Sequence, residues 1–350
     1  MENVANLMLP LAFPDKREQT IPVVFAANES FIPPCGTAIY SIFANSSRAR
    51  YYDIIILGSD IQEETKNLLC GMFRTETNFS IRFINAAPLV QNYDLQAHYH
   101  ITVETFYRFL IQELLPDYDK VLYLDGDLIC EQDVAKLYDT DVDGFLLAAV
   151  RDPDMLGNLN LKPRRVEYLR QELKMAEPYD YFQAGVLLMN LKEMRRAYSV
   201  SQWLEYATHP YLYSDQDVLN RYCQGKVLYL DMAWNVLMDL DNFRVSEIIS
   251  AAPENVRQAY MDSRKNPKIV HFAGYRKPWK YPDVDFAPRF WKYARYTPWH
   301  EQMLLDVVQQ MQKDTSFHAR TKAAFLRVRS RLLPQSLRQW IKKRLGREDI

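Results

Sequence analysis

The sequence predicts an α/β fold in which helices cover one mixed, mostly parallel sheet and a basic helical tail follows. Short runs of β-branched and apolar residues alternate with longer segments of helical spacing, a pattern typical of parallel sheets. Of the 350 residues, 48% are hydrophobic, which is enough for one large core but not for three separate ones. We therefore expect a single main domain.

The elements can be placed in chain order. Residues 1–20 show no sustained period and are interpreted as a leader. After residue 240 the alternation becomes irregular, and the proline- and aromatic-rich segment 281–299 predicts loops over one end of the sheet. The predicted division is a leader at 1–20, a main domain at 21–300 and a tail at 301–350. Strands are predicted at 23–27, 52–57, 81–84, 120–124, 146–150 and 186–189, and helices at 36–44, 61–73, 102–114 and 215–222.

The net charge of −1 hides an uneven distribution. Residues 311–350 hold eleven Lys or Arg and three Asp or Glu, which leaves a charge of −9 on the rest of the chain. The basic character is local, so we expect no nucleic-acid binding. Widely spaced cysteines suggest neither a disulfide framework nor a CxxC metal pair, and reduced core thiols are expected at Cys35, Cys70, Cys130 and Cys223.

The tail has the pattern of an amphipathic helix. Its apolar positions alternate with arginines and lysines on either side of Pro334, and they are Phe325, Val328, Leu332, Leu337, Trp340, Ile341 and Leu345. Such a stripe fits a helix lying in an anionic membrane interface, whereas a solvated helix packed on the body is the alternative. No run reaches the ~20 apolar residues of a spanning helix, so a cytoplasmic chain on the inner membrane face is predicted.

Two carboxylates follow the strand predicted at 120–124. Asp125 and Asp127 point the same way along extended chain and can share a hard cation such as Mg²⁺ or Mn²⁺. Gly126 between them permits close approach of a ligand or backbone. An ordinary Asp-Gly-Asp turn explains the three residues equally well, so the metal interpretation needs support from elsewhere.

That support comes from His271-Phe-Ala-Gly274-Tyr-Arg-Lys277-Pro-Trp. It offers an imidazole as a metal ligand, a glycine for close backbone approach and a lysine as a point charge for phosphate. A divalent ion and a lysine together stabilise a leaving diphosphate. The first strand leads into residues 26–30, which contain neither GxGxxG nor a P-loop, and this argues against dehydrogenases and ATPases.

Four ordered motifs resemble glycosyltransferase family 8, and in particular its bacterial lipopolysaccharide α-galactosyl- and α-glucosyltransferase branch. They are LYLDGD at 122–127, FQAGVLLMN at 182–190, YSDQDVLN at 213–220 and HFAGYRKPW at 271–279. The resemblance implies a Rossmann-like nucleotide-binding domain of the GT-A type, a UDP-sugar donor, and Mn²⁺ held by Asp125, Asp127 and His271.

The same resemblance implies further roles. Ala26 and Asn28 are expected at the uridine, and the Gly274 backbone and Lys277 at the diphosphate. Arg108 matches an arginine near the donor, although a helix-surface charge paired with Glu104 is the alternative. Positions around the transferred sugar are matched by Asp152, Asp215 and Gln216.

Local patterns add structural alternatives on the sugar side. Asp215 can serve as a helix N-cap as well as in function, and Asp217 is interpreted as structural. Two departures from the family pattern stand out. Asn28 replaces an aspartate at the uracil, and Gln183 replaces an asparagine, which reshapes the sugar pocket.

The predicted activity is therefore retaining transfer of a hexose, galactose or glucose, from a UDP-sugar to a glycan or glycolipid such as lipopolysaccharide core. A two-step route needs a good nucleophile, and the amide of Gln216 is a poor one, so a front-face displacement is favoured. One alternative is a nucleotidyltransferase, which usually needs a glycine-rich loop after the first strand. A non-catalytic nucleotide-sugar binding protein is the other.

Overall fold

The fold is built around a seven-stranded sheet with strand order β3-β2-β1-β4-β7-β6-β8. A computed structural model describes residues 6–96 and 102–313. In the described residues, neighbouring strands of this sheet are parallel, except that β7 is antiparallel to β4 and β6. The prediction of a mixed, mostly parallel sheet is confirmed. Its strands are β1 (Thr20–Asn28), β2 (Tyr51–Ser59), β3 (Phe79–Asn85), β4 (Lys120–Leu124), β6 (Leu147–Arg151), β7 (Phe182–Asn190) and β8 (Val227–Tyr229).

Helices cover both the sheet and its ends in the described part of the chain. The α-helices are α1 (Ile32–Asn45), α2 (Glu63–Gly71), α3 (Ala87–Val90), α4 (Ile111–Leu114), α5 (Ala135–Tyr138), α6 (Pro153–Leu161), α7 (Pro163–Gln171), α8 (Leu191–Ala197), α9 (Val200–Ala207), α10 (Ser214–Tyr222), α11 (Glu254–Lys265) and α12 (Ala287–Ala294). The predicted helix at 102–114 begins as a 3₁₀ helix over Val103–Leu110 and becomes α4.

The central strands form the core because both of their faces are covered. In β1, the residues from Thr20 to Phe25 are all buried, and β2 is buried along most of its length. Near-continuous apolar runs of this kind are expected of parallel strands that have helices on both faces. Three of the four cysteines are buried, Cys70 is half-buried, and all four are free thiols.

A second, three-stranded sheet lies beside the end of β4 and consists of β5 (Leu128–Cys130), β10 (Ile269–His271) and β9 (Val236–Leu237). β10 is antiparallel to β5 and pairs His271 with Leu128. The prediction of loops at 281–299 was wrong in part, because α12 lies there. α12 was missed because Pro288 and a run of aromatics occupy its first two turns, and proline is tolerated at that end of a helix.

The two ends of the chain frame this domain. In the segment predicted as a leader, Leu7, Leu9 and Leu11 pack against the main core, and the Leu9 amide donates to the Leu114 carbonyl at 3.0 Å. Residues 300–313 are helical, whereas the amphipathic pattern predicted for the tail, from Phe325 to Leu345, lies outside the described residues. Within the described ranges, the helices are too short or too polar to cross a membrane.

Candidate active site

A cleft of about 310 Å³ opens where β1, β4 and β7 meet at one edge of the large sheet. Ligands of open α/β sheets bind outside the carboxyl ends of the strands. The sequence-predicted residues that line this cleft are Ala26, Asn28, Arg108, Asp125, Asp127, Asp215, Gln216, His271, Gly274 and Lys277. The remaining predicted residue, Asp152, lies behind Gln216 and does not line the cleft.

Backbone hydrogen bonds at the ends of the two sheets bring the three predicted metal ligands together. The Asp125 amide donates to the Gly185 carbonyl at 2.8 Å, and the Phe272 amide donates to the Asp127 carbonyl at 2.9 Å. The second bond holds the end of β10 next to the carboxylate pair. One ligand atom from each of Asp125, Asp127 and His271 lies within 4.8 Å of the other two. His271 Nε2 is 3.2 Å from Asp127 Oδ1 and 3.7 Å from Asp125 Oδ2.

The orientation of the His271 ring is fixed from behind. His271 Nδ1 lies 3.0 Å from Asn235 Oδ1, and Asn235 Nδ2 donates to Gln183 Oε1 at 2.6 Å. Since the amide oxygen is an acceptor, Nδ1 donates to it, and Nε2 faces the two carboxylates. Two carboxylates and one imidazole nitrogen form a donor set that suits a divalent cation such as Mn²⁺.

Two glycines allow this close packing. A Cβ on Gly185 would lie 2.4 Å from His271 Cε1 and 2.6 Å from Asp125 Oδ2, so a side chain there would displace the ligands. Gly274 has a φ of +127°, which side chains rarely tolerate. Its backbone thus follows His271 along the cleft wall in a conformation that favours glycine.

Asp127 is held in its charged form. Lys277 Nζ donates to Asp127 Oδ2 and also to the Phe272 carbonyl, the latter at 2.8 Å. Burial raises the pKa of Asp127, but Lys277 and His271 outweigh burial and hold the pKa below its usual value. The protein therefore keeps an anionic ligand at the place where a cation would bind.

Arg108 crosses the floor of the cleft and is only 2% exposed. Its guanidinium lies 3.1 Å from Asp125 Oδ1 and 3.0 Å from Asp215 Oδ2, and it stacks 4.0 Å from the centre of the Tyr123 ring. Burial lowers the pKa of Arg108, yet Asp215, Tyr123 and Asp125 raise it above its usual value. The interpretation of Arg108 as a surface charge paired with Glu104 is therefore wrong.

The carboxylates of α10 have different partners. Asp215 Oδ1 accepts from the Thr105 hydroxyl at 2.6 Å, and the helix N-cap is Tyr213, so the interpretation of Asp215 as the cap is wrong. Asp217 accepts from the hydroxyls of Tyr168 and Tyr181 at 2.6 Å each. The geometry agrees with a structural role for Asp217, and it leaves Asp215 in the cleft as a link between α10 and Arg108.

Gln216 is held in one orientation by three hydrogen bonds. Its Oε1 accepts from the Ala184 amide at 2.9 Å, while Nε2 donates to Asp152 Oδ2 at 3.1 Å and to the Tyr181 hydroxyl at 3.2 Å. Asp152 also caps α6 by accepting from the Asp154 and Met155 amides at 3.0 Å. Burial and Asp154 raise the pKa of Asp152 to about 6.

Asn235 and Glu104 are polar residues of this region that the sequence did not indicate. Asn235 supports His271, and Glu104 lines the cleft beside Asn28 and Arg108. The first gave no signal because it lies in the short segment between β8 and β9, far from any motif. The second appeared only as a partner for Arg108, because helical spacing places them four residues apart.

The chain is similar in sequence to known proteins over most of its length. The model of glycosyl transferase family 8 matches residues 22–283. General stress protein A of Bacillus subtilis is 23% identical over 298 residues, which cover 81% of this chain and 96% of that protein. Lipopolysaccharide 1,2-glucosyltransferase of Escherichia coli is 23% identical over 296 residues, covering 80% and 79%. Glycosyltransferase GlyF of Streptococcus pneumoniae is 27% identical over 283 residues, covering 80% of this chain and 62% of GlyF.

Solved structures give the same picture. The bifunctional glycosyltransferase WbbM has a TM-score of 0.75 and 27% identity, covering 85% of this chain but 53% of WbbM. The galactosyltransferase LgtC, solved with donor and acceptor sugar analogues, has a TM-score of 0.64 and 27% identity, covering 79% of this chain and 96% of LgtC. This chain thus spans less than two thirds of GlyF and about half of WbbM.

The sheet, the cleft and these likenesses define a glycosyltransferase with a GT-A type fold. More particularly, the chain belongs to glycosyltransferase family 8, whose model covers most of its length.

Proposed function

We propose that this enzyme transfers a hexose, galactose or glucose, from a UDP-sugar to a saccharide acceptor with retention of configuration. The observation that carries the proposal is the grouping of Asp125, Asp127, His271 and Lys277 at one side of a cleft whose other wall holds Asp215 and Gln216. The first group suits a metal-bound diphosphate, and the second can surround a sugar. Lipopolysaccharide core as acceptor is favoured by the likeness to the glucosyltransferase of E. coli.

Mn²⁺ is the metal that we assign to Asp125, Asp127 and His271, and Mg²⁺ also suits the two carboxylates. A divalent ion there would stabilise the charge that develops on the leaving diphosphate. Lys277 Nζ, already at the same carboxylate, can donate to a phosphate oxygen, and the Gly274 backbone leaves room beside it. Ala26 and Asn28 lie at the end of β1, where the uridine would bind.

The orientation of Gln216 supports a front-face displacement. Both of its Nε2 protons are used by Asp152 and Tyr181, whereas Oε1 has one lone pair beyond the bond from Ala184. That oxygen can stabilise positive charge on the anomeric carbon. The bond from this carbon to the diphosphate breaks, the bond to the acceptor oxygen forms on the same face, and the acceptor proton passes to the leaving diphosphate. Asp215 and Asp152 hold the surrounding framework, and a trapped sugar adduct on Gln216 or Asp215 would contradict this route.

The test is the release of UDP from a panel of UDP-sugars, with and without Mn²⁺. We expect metal-dependent release from one or two donors, and we expect Asp127→Asn to reduce kcat on the order of 10³-fold because charge stabilisation worth several kcal/mol is lost. The exposed Asp143 offers a matched control, and Asp143→Asn should behave as wild type.

Other results would separate the alternatives. Metal-dependent UDP binding without turnover of any donor and acceptor pair would favour a binding protein. Formation of a UDP-sugar from UTP and a sugar phosphate would favour a nucleotidyltransferase. A failure to bind UDP in the presence of Mn²⁺ or Mg²⁺ would refute the nucleotide-sugar assignment.

The proposal extends to the membrane. The tail pattern and the exposed side chains of Leu304, Leu305 and Val308 on the preceding helix favour binding of the C-terminal region to an anionic surface at the cytoplasmic face. Deletion of residues 315–350 should abolish co-sedimentation with anionic vesicles. Unchanged sedimentation of the truncated chain would contradict this part of the proposal.

A further inference from the structure

Glu104 is a buried carboxylate that the mechanism above does not use. It lies in the 3₁₀ helix Val103–Leu110, is 6% exposed and lines the cleft. Its Oε1 accepts from the Ser59 hydroxyl, but its Oε2 is buried and has no hydrogen-bond partner. No lysine or arginine in the described ranges forms an ion pair with it, and the Tyr107 hydroxyl in the same helix also lacks a partner.

The sheet order places Glu104 at one end of the cleft. β1 and β2 pair in register, so Ser59, the hydrogen-bond partner of Glu104, lies beside Asn28. β4, which leads into Asp125, lies on the other side of β1. Strands are ~4.8 Å apart, so Ser59 lies roughly 10 Å, or two strand spacings, from the metal ligands. Gln216 lies in the opposite direction, against β7, so the Glu104 end is the nucleoside end of the cleft.

The chemistry of this end is complementary to a group that carries a hydrogen-bond donor. A buried carboxylate with a single donor is costly, and the cost is removed when a ligand supplies a second one. Asn28 Oδ1 accepts from the Ser30 hydroxyl at 2.8 Å, and its amide N–H groups can serve a base carbonyl. Glu104 as acceptor and Asn28 as donor together match an imide, which presents N–H beside C=O.

We propose that Glu104 Oε2 accepts a hydrogen bond from the nucleoside of the donor and thereby selects the nucleotide. The inference rests on the proposed function, since it assigns a role within the same UDP-sugar site. The donor group is an N–H of the base or a hydroxyl of the ribose, which share this chemistry. If the base supplies it, uracil is favoured over cytosine, whose N3 is an acceptor and would face the carboxylate without a proton.

The experiment measures binding of UDP, CDP, 2′-deoxy-UDP and 3′-deoxy-UDP by calorimetry in Mn²⁺, with wild type and Glu104→Gln. We expect Glu104→Gln to weaken UDP binding about tenfold, because a hydrogen bond to a charged group is lost. If the base is the donor, the preference for UDP over CDP shrinks in Glu104→Gln. If the ribose is the donor, a deoxy nucleotide binds more weakly than UDP to wild type but not to the variant.

Controls separate the possible failures. Glu113→Gln changes a half-buried glutamate away from the cleft and should bind UDP as wild type does. Should Glu104→Gln unfold, Glu104→Asp keeps the charge, shortens the side chain and should give the same change in selectivity. Unchanged UDP affinity and unchanged nucleotide preferences in a folded variant would overturn the inference alone. No UDP binding by wild type would refute the proposed function itself.

Discussion

The carboxylates of the metal wall and of the sugar wall of the cleft have opposite environments. Asp125 and Asp127 lie on the metal wall, whereas Asp215 lies on the sugar wall and Asp152 lies behind it, bonded to Gln216. On the metal side, Lys277 and His271 overcome burial and lower the pKa of Asp127. On the sugar side, burial dominates and raises the pKa values of Asp152 and Asp215, even though Arg108 lies against Asp215. One wall therefore maintains a negative charge for a cation, and the other uses carboxylates as fixed hydrogen-bond acceptors at some cost in stability.

This difference shows why two buried carboxylates can respond differently to the loss of a partner. Asp127, whose pKa is lowered, stays charged over the whole physiological pH range. A carboxylate that is buried among amides and hydroxyls depends on every partner that remains, because an unpaired buried charge is expensive. Arg108 connects the two walls, since it contacts both Asp125 and Asp215.

The largest effect is expected from removal of this connection. Arg108→Met should lower the free energy of unfolding by ~3–5 kcal/mol, because it leaves Asp215 buried without a counter-charge. Denaturant unfolding measures the change. The double variant Arg108→Met/Asp215→Asn should regain part of the loss, since no unpaired buried charge then remains at position 215.

A surface arginine gives the matched comparison. Arg257 pairs with Glu254, and their side chains are 43% and 71% exposed. Arg257→Met should cost less than about 1 kcal/mol. If Arg108→Met lowered the free energy of unfolding no more than Arg257→Met, the ion pairs of Arg108 with Asp125 and Asp215 would contribute no more to stability than a surface ion pair.

The raised pKa of Asp152 predicts a pH-dependent difference in stability. The folded group has a pKa of about 6, above its ordinary value of 3.8, so between these values the folded state holds its proton more tightly than the unfolded state. Stability from this group is thus lost as pH rises from about 4 to 6. Relative to wild type, Asp152→Asn should gain up to about 3 kcal/mol across that window.

Paired unfolding curves from pH 4 to 8 measure this gain. Arg244 and Asp154 also act on the Asp152 carboxylate and remain in both proteins, so the difference between the proteins isolates the one group. A difference that stays constant over the whole range would mean that Asp152 keeps an ordinary pKa. In that case, the contrast between the two walls would rest on Asp215 alone.

Much of the large sheet could be predicted because its strands are local apolar runs. The predicted strands at 52–57 and 120–124 lie within or match β2 and β4, and the fold class is confirmed. The small sheet could not be predicted. β9 has two residues and β10 three, and such short strands owe their existence to pairing with distant chain segments, a property that no local pattern records.

The same distinction applies to the site. Asp125, Asp127, His271 and Lys277 were found because they stand in motifs at strand ends, and the structure brings them together. Asp215 was found too, but its pairing with Arg108 and Thr105 arises from tertiary contact between α10 and the segment at 103–110. The helix-capping rule predicted an N-cap role for Asp215, because such a rule considers only neighbours in sequence and not partners over a hundred residues away.

The smallest effect is expected from loss of Asn235, which holds the His271 ring in place. Asn235→Leu removes the acceptor for His271 Nδ1, so the ring can turn or carry its proton on Nε2. Partners of this kind contribute about 10–100-fold in metal affinity, and we expect a loss of that size in Mn²⁺ affinity measured calorimetrically at saturating UDP. Asn235→Asp keeps an acceptor for Nδ1 and should lose less.

Excess Mn²⁺ should restore the kcat of Asn235→Leu, because the variant changes how firmly His271 is held and not the wall that surrounds the sugar. A kcat that stays low at saturating Mn²⁺ would instead place Asn235 in the framework of the sugar wall, through its bond to Gln183.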